Sequence, residues 1–146
     1  MKNKSWMLLP AILGFALVGC QSTKEEPKVE QQVEYATVIG MVSYRERIAL
    51  PEDAVITVKL EDISLADAPS VVIAETEFES QGFQSPFAFQ IDYDPSQIIE
   101  NHRYTISARI EVNGKLRFIS DTIYPVLTDE SKTDNANLRL VGVSSN

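Results

Sequence analysis

The feature that most constrains the fold of this chain is an alternation of apolar and polar side chains at every second residue. It is clearest in residues 103–112 and recurs in residues 56–61 and 87–93. The apolar positions of the clearest segment are Tyr104, Ile106, Ala108, Ile110 and Val112. Because successive side chains of a β-strand point to opposite faces, this period puts the apolar side chains on one face. The pattern therefore predicts strands of an antiparallel sheet, each with one buried and one solvated face.

Seven such segments follow one another after residue 34, separated by turn-forming residues. They are residues 35–44, 56–61, 71–79, 87–93, 103–112, 115–123 and 137–143. Asn113 and Gly114 both tolerate the positive φ of a type I′ turn, so the fifth and sixth strands are predicted to form a hairpin. Residues 98–101 are predicted to add one helical turn. The chain is therefore predicted to be all-β, with a seven-stranded antiparallel β-sandwich of the immunoglobulin or transthyretin type in residues 35–146.

The strict alternation also assigns large side chains to the core. Phe87, Phe89 and Tyr93 share one face of their strand, so they are predicted to be core residues and not the lining of a ligand groove. Leu116 and Phe118 are predicted to continue the inner face of the hairpin.

The first nineteen residues have the layout of a bacterial export signal. Lys2 and Lys4 give a positively charged start, and an apolar stretch follows at residues 6–17. This stretch is shorter than the ~20 apolar residues that span a bilayer. It ends at residues 17–20 (LVGC), which resemble the lipobox of bacterial lipoproteins. Residues 1–19 are therefore predicted to be a lipoprotein signal peptide.

Cys20 is the single cysteine of the chain. The motif predicts that its thiol receives diacylglycerol. After cleavage its amine is free, and it is predicted to receive a further acyl chain such as palmitate. The alternative is a free thiol beside an uncleaved membrane anchor, since no second cysteine exists for a disulfide. Each buried CH₂ contributes ~0.8 kcal/mol, so a three-chain anchor is effectively permanent. Gln21 stands where an aspartate commonly signals inner-membrane retention. The prediction is anchoring in the outer membrane, on the periplasmic side.

Residues 20–34 are predicted to be a flexible tether that begins with the lipidated cysteine. They are mostly polar, and such a composition cannot bury enough apolar surface to offset the entropy of ordering. The whole chain has a formal charge of −8, which becomes −10 when Lys2 and Lys4 leave with the signal peptide. An acidic chain lacks the basic footprint of a nucleic-acid binder, so no nucleic-acid partner is predicted.

Several segments of the predicted domain together resemble one family. They are residues 42–51 (VSYRERIALP), 54–58, 60–69 (LEDISLADAP), 86–89, 91–94, 102–104 and 120–128 (SDTIYPVLT). This set resembles the YbaY/YscW lipoprotein family over residues 36–143. YscW-type members are pilotins, which are lipoprotein chaperones of type III secretion that bind a secretin and carry it to the outer membrane. The resemblance implies a lipid-anchored β-sandwich, with pilotin activity as one candidate function.

The residue inventory disfavours an enzyme. His102 is the single histidine, so a Ser-His-Asp or Cys-His nucleophile would depend on it, and no Gly-x-Ser-x-Gly motif is present. A zinc site needs three or four nitrogen or sulfur ligands. No catalytic residue, metal site or cofactor is therefore predicted, and His102 is assigned a structural or turn-capping role.

Carboxylates are abundant, and they are predicted to lie on the surface or in turns. Asp67, Asp92 and Asp94 stand beside proline or turn residues, where aspartate commonly caps the backbone. A weak Ca²⁺ site and a glycosidase pair are the alternatives, since a sequence does not show which carboxylates converge. The carboxylates considered are Glu61, Asp62, Asp67, Asp92, Asp94 and Asp121.

Arg45 and Arg47 are the candidate binding residues. Their guanidinium groups could bind carboxylates or sulfates in a bidentate manner, or lie in a solvated loop with local ion pairs. Residues 124–127 could present an apolar edge or cover the core. The leading hypothesis is a non-enzymatic binding or chaperone module, pilotin-like, that accepts a segment of an envelope protein such as a secretin-like protein. The alternative is a cell-envelope maintenance lipoprotein that binds glycan or lipopolysaccharide.

Overall fold

Eight β-strands and one short 3-10 helix make up the secondary structure of residues 33–144, the part of the chain that this computed structural model describes. The strands are β1 (Ala36–Tyr44), β2 (Val55–Asp62), β3 (Val71–Glu79), β4 (Phe87–Tyr93), β5 (Tyr104–Val112), β6 (Lys115–Ile119), β7 (Pro125–Val126) and β8 (Asn135–Gly142). The prediction of an all-β domain is confirmed. The predicted signal peptide, Cys20 and most of the predicted tether lie outside the described residues.

The strands join in one eight-stranded sheet, in the order β3-β2-β5-β6-β8-β1-β4, with β7 added to β5. β8 links the two halves, because most of it pairs in parallel with β1 while its last two residues pair antiparallel to β6. The edge strands β3 and β4 approach each other without pairing, so the sheet is nearly closed, like a barrel. The predicted seven-stranded antiparallel sandwich of the immunoglobulin or transthyretin type is therefore corrected. The parallel β1–β8 pair has no connecting turn that a sequence could reveal.

The alternation of side chains builds a single core. Ile56 of β2 and Ile106 of β5 are fully buried, and Phe87 and Phe89 of β4 are nearly so. Tyr93 packs against them half-buried, so the predicted core role of these aromatic residues is confirmed. Full burial of a large apolar side chain contributes about 1.5–3 kcal/mol, which makes this face the main source of stability.

The predicted hairpin between β5 and β6 is confirmed. Asn113 and Gly114 have φ angles of 52° and 72°, as a type I′ turn requires. β6 ends at Ile119, short of the predicted residue 123, because the chain then leaves β5. Phe118 is buried as predicted, whereas Leu116 is only half-buried beyond an irregularity in the register.

A helical turn does lie between β4 and β5, but it occupies Pro95–Gln97 and not the predicted residues 98–101. The Asp94 side chain caps it by accepting a hydrogen bond from the Ser96 backbone N–H at 2.8 Å. Proline at the first helical position fits this start, because its missing N–H would have no partner there. No helix within residues 33–144 is long and apolar enough to cross a membrane.

The directions of the strands give the domain two distinct ends. The chain enters β1 where Ala36 pairs with Tyr93, at the end of β4. This entry end carries the connecting segments 63–70, 94–103 and 120–134. The far end carries the connecting segments 45–54 and 80–86 and the turn of the β5–β6 hairpin. Each end presents its own set of loops.

Candidate functional site

A groove of about 520 Å³ opens at the entry end, beside the start of β5. At this level β6 has already left β5, and the two-residue strand β7 pairs with β5 in its place. The buried side chains of Tyr104 and Val126 line it, and the other lining residues are the apolar Ile63, Ile123 and Pro125 and the polar Arg103, Thr128, Asp129 and Glu130. Ile123 is 54% exposed, so an apolar side chain faces solvent here. This β7 groove has the shape and the apolar lining that suit the side chains of a bound peptide.

Hydrogen bonds hold the main chain around the β7 groove. The Thr105 hydroxyl oxygen accepts a hydrogen bond from the Tyr124 N–H at 2.9 Å, and the Ile106 N–H donates to the Tyr124 carbonyl at 3.1 Å. On the other side, the Tyr104 hydroxyl accepts a hydrogen bond from the Ile99 N–H at 3.0 Å. Each such bond contributes about 1 kcal/mol net. The groove is therefore formed before any partner binds.

His102 lies at the same end, in a hydrogen-bonded network. Its Nδ1 is 2.6 Å from Asp62 Oδ2, and its carbonyl accepts a hydrogen bond from Thr128 Oγ1 at 2.6 Å. The Ser64 hydroxyl donates to Asp62 Oδ1 at 2.5 Å. The carboxylate thus lies between the hydroxyl and the imidazole, whereas a Ser-His-Asp nucleophile needs the imidazole in the middle. The network is structural, because it ties the end of β2 to the segment that leads into β5.

The carboxylates near these strands are used in local hydrogen bonds. Burial raises the pKa of Asp62, but hydrogen bonds from Ser64 and His102 outweigh it, so the pKa lies below its ordinary value. The Thr37 hydroxyl donates to Asp92 at 2.7 Å, and this bond lowers the pKa of Asp92. No group of three or more His, Cys, Asp or Glu in residues 33–144 is placed to hold a metal ion. The predicted absence of catalytic and metal sites in the whole chain stays a prediction.

Arg45 and Arg47 lie exposed in the loop after β1, at the far end and away from the β7 groove. The Tyr44 hydroxyl donates to a carbonyl of this loop at 3.0 Å, and Glu46 Oε1 accepts a hydrogen bond from the Gly142 N–H at 3.1 Å. Among the described residues, no carboxylate forms an ion pair with either guanidinium. Both side chains are therefore solvated, and the binding role of Arg45 and Arg47 stays a prediction.

Comparison with known proteins identifies the family of this chain. Residues 33–140 match the family described as type III secretion system lipoprotein chaperone (YscW). This chain belongs to that family. The matched range includes all the strands that surround the β7 groove. The resemblance noted in the sequence is confirmed.

Two relatives support the same assignment. The uncharacterised lipoprotein YbaY of Escherichia coli (strain K12) is 43% identical over 122 residues, which is 84% of this chain. This chain spans 61% of the length of that curated relative. A solved structure of an alternative pilotin from the type II secretion system of Vibrio cholerae is 52% identical, with a TM-score of 0.75. That match covers 77% of this chain and 100% of the other, so the two share a fold.

The family gives a coarse statement of function. The family is described as one of lipoprotein chaperones, and the relative YbaY is named a lipoprotein, which indicates a membrane-anchored protein of the cell envelope.

The sequence did not predict the β7 groove. Residues 124–127 were expected either to present an apolar edge or to cover the core, and they do both, since Val126 is buried and Pro125 is exposed. The signal that could have located the groove is the polar run at residues 120–122, which interrupts the alternation. This interruption marks the point where β6 ends and the groove begins.

Proposed function

We propose that this chain is a non-enzymatic, pilotin-like chaperone whose β7 groove binds a segment of a secretin-like envelope protein. The observation that carries the proposal is the groove itself, an open apolar surface with a hydrogen-bonded frame. Apolar side chains of an extended or helical segment would replace water over Ile123 and Pro125, which is favourable by about 25 cal/mol per Å² of apolar surface. The family description and the Vibrio cholerae pilotin support a partner from a secretion apparatus.

We further propose that Cys20 anchors the domain in the outer membrane, on its periplasmic side, after residues 1–19 are removed. The lipobox-like residues 17–20 and the lipoprotein relatives support this anchor. Residues 20–34 would act as the tether, and residues 35–146 would contain the binding domain. Metabolic labelling with palmitate, with and without globomycin, tests the anchor. Label that persists in a Cys20→Ala variant would contradict it.

A site-specific crosslink in cells tests the groove. A photoreactive amino acid replaces Ile123 in the full-length chain, and in a matched control it replaces Phe83, which is 72% exposed at the far end. We expect a secretin-like protein among the adducts from position 123 and not from position 83, identified by mass spectrometry. Equal adducts from both positions, or none with an envelope protein from position 123, would contradict the assignment of the groove.

A variant gives the functional readout. Ile123→Asp places a charge in the groove without touching the core, because this side chain is more than half exposed. We expect loss of the partner from the outer-membrane fraction with an unchanged thermal midpoint of the lipoprotein. The alternative function, binding of glycan or lipopolysaccharide, is not favoured by the comparisons.

A further inference from the structure

The charges of the domain are divided unevenly between its two ends. At the entry end, the segment 120–134 carries the carboxylates Asp121, Asp129, Glu130 and Asp134 and the single cation Lys132. The far end is closer to neutral, because the carboxylates Glu46, Glu52, Asp53 and Glu111 lie in or beside its loops together with four cations. The cations are Arg45, Arg47, Lys115 and Arg117, and all four are exposed. The chain as a whole has a net charge of −8, so four cations this close together differ from its average charge.

A notch of about 310 Å³ opens beside two of these cations, Lys115 and Arg117. Loop residues 48–51 form one side, and the β5–β6 hairpin forms the other with Val112, Lys115 and Arg117. Ile48 is 42% exposed, so an apolar surface adjoins the cations. Arg45 and Arg47 do not line the notch but precede it in the loop. The name cationic notch is used below for loop residues 48–51, Val112, Lys115 and Arg117 together with Arg45 and Arg47.

The cations of this notch are not neutralised within the domain. By contrast, Lys59 on the side of the sheet pairs with Glu75 at 3.0 Å. None of the notch cations forms an ion pair with a carboxylate of residues 33–144. Glu46, which lies between the two arginines of the loop, accepts a hydrogen bond from the Gly142 N–H instead. The positive charges therefore remain available to a partner.

The backbone that carries the notch is also held in place. The Tyr44 ring stacks on the Phe118 ring with a centroid distance of 4.4 Å and an interplanar angle of 18°. The Val143 N–H donates to the Arg117 carbonyl at 2.8 Å, which fixes β6 where it bears the cations. Because the loop and the strand are already ordered, a ligand loses little free energy in arranging them.

We propose that the cationic notch binds an acidic polypeptide segment that carries apolar side chains between its carboxylates. Arginine binds carboxylates through paired hydrogen bonds, and opposite charge guides the encounter. Ile48 and Val112 would contact the apolar side chains. An anionic lipid surface is distinguished from such a segment by the competition experiment described below. An anionic glycan offers carboxylates but little apolar surface.

Binding of a defined peptide tests the proposal. The full-length lipoprotein in detergent is titrated into a short fluorescein-labelled peptide of repeated Glu-Glu-Leu, and the fluorescence anisotropy is followed. We expect saturable binding that weakens at least about tenfold in Arg45→Gln with Arg47→Gln, and likewise in Lys115→Gln with Arg117→Gln, as charge-assisted contacts are lost. Saturable binding that both double variants retain, or no binding at all, would overturn the proposal.

Matched controls separate this site from general electrostatic attraction. Lys59→Gln with Lys132→Gln removes the same charge outside the notch, and we expect its Kd to stay within about twofold of the original, since distant charges are screened. A Gln-Gln-Leu peptide and a Glu-Glu-Gly peptide should both bind more weakly than the first peptide. Equal weakening in the control variant would refute a local site.

Competition distinguishes the other anionic ligands. Polygalacturonate, phosphatidylglycerol vesicles and the unlabelled peptide are each added as competitors, and the concentration of negative charge that displaces the labelled peptide is compared. If polygalacturonate or the vesicles act at a lower concentration than the unlabelled peptide, the ligand is a glycan or a lipid and the proposal is wrong. Ile123→Asp should leave peptide binding intact while it abolishes the crosslink from the β7 groove. Loss of peptide binding in that variant would show that the two surfaces are not separate, whereas failure of the crosslink alone would leave this inference standing.

Discussion

Substitution of Gly40 by alanine tests the strand arrangement that distinguishes this fold from an antiparallel sandwich. Gly40 lies in β1, opposite Ala136 in the parallel pairing with β8. A methyl group at this position would overlap the Ala136 carbonyl oxygen, and it would lie 2.7 Å from the carbonyl carbon and 2.8 Å from Phe89 Cε1. Two of these atoms belong to the backbone of a paired strand, so they cannot turn away as a side chain can.

The size of the effect follows from this geometry. The two strands must separate until the methyl group reaches ordinary contact, which breaks about two main-chain hydrogen bonds at ~1 kcal/mol each. Overpacking of the core adds about 1–3 kcal/mol. We therefore expect Gly40→Ala to lower the free energy of unfolding by roughly 3–5 kcal/mol, or the thermal midpoint by about 12–20 °C for a domain near this size. The change removes a large part of the 5–15 kcal/mol that is typical of a domain.

Gly142→Ala provides the matched control. Gly142 also lies in a strand, but a methyl group there would meet Glu46 Oε1 at 2.7 Å, and that flexible side chain can move. Loss of one hydrogen bond, at ~1 kcal/mol, is offset by the lower entropy of alanine in the unfolded chain, so the net change should be within about 1 kcal/mol.

Urea unfolding followed by far-UV circular dichroism measures both changes. Tryptophan fluorescence is unsuitable, because Trp6 is the single tryptophan and lies in the predicted signal peptide. We expect a lower midpoint for Gly40→Ala with an unchanged slope. A Gly40→Ala protein within about 1 kcal/mol of the original, or one no less stable than Gly142→Ala, would refute the close parallel approach of β1 and β8.

Three further predictions concern single contacts. The pKa of Asp62 is held below the ~3.9 of an unfolded chain. The ionised carboxylate therefore stabilises the folded protein above that pH, and this contribution is lost as the pH falls through the folded pKa. In acid titrations followed by circular dichroism, the unmodified protein should lose more stability below about pH 4 than Asp62→Asn does. Gly114→Ala meets no atom within 4 Å, so urea unfolding should reveal only the cost of its left-handed backbone, about 1–2 kcal/mol. Tyr44→Phe retains the ring stack on Phe118 but loses the hydrogen bond to the Ile48 carbonyl, which should lower the free energy of unfolding by ~1 kcal/mol in a thermal melt.

Local patterns in the sequence were enough to predict most strands. The segment 87–93 was predicted with the bounds that β4 has, and the segment 103–112 differs from β5 by one residue. The turn at Asn113 and Gly114 was also predicted correctly, because it depends on the backbone preferences of these two residues alone. Alternation and turn chemistry are local properties, so they need no knowledge of distant contacts.

The arrangement of the strands could not be predicted in the same way. β1 and β8 pair in parallel although most of the chain lies between them, and no turn links them. A glycine inside a strand often marks a close backbone approach, and Gly40 was such a signal, but it does not name the partner strand. Likewise β7 is only two residues long, so no alternation could identify it. The β7 groove depends on both features, which is why the sequence did not locate it.

The far end shows how a predicted element can assemble residues that were not predicted to act together. Arg45 and Arg47 were singled out from their own segment, whereas Lys115 and Arg117 lie in β6. The Asn113–Gly114 turn returns β6 beside β5 and brings its cations to the same end of the domain. The predicted hairpin was therefore enough to place Lys115 and Arg117 at the same end as Arg45 and Arg47, once the direction of β1 relative to β5 was known.

The two proposed surfaces lie at opposite ends of the domain, and this separation limits how one partner could use both. β5 runs from the β7 groove towards the hairpin that bears the cationic notch, and its nine residues span about 30 Å at ~3.3 Å per residue. One short segment cannot fill both surfaces at once. A protein that binds both must therefore present two segments, and their linkage would raise the overall affinity well above that of either segment. The Ile123→Asp and Arg45→Gln with Arg47→Gln variants should then each weaken binding of the same protein, whereas two separate partners would each respond to one variant alone.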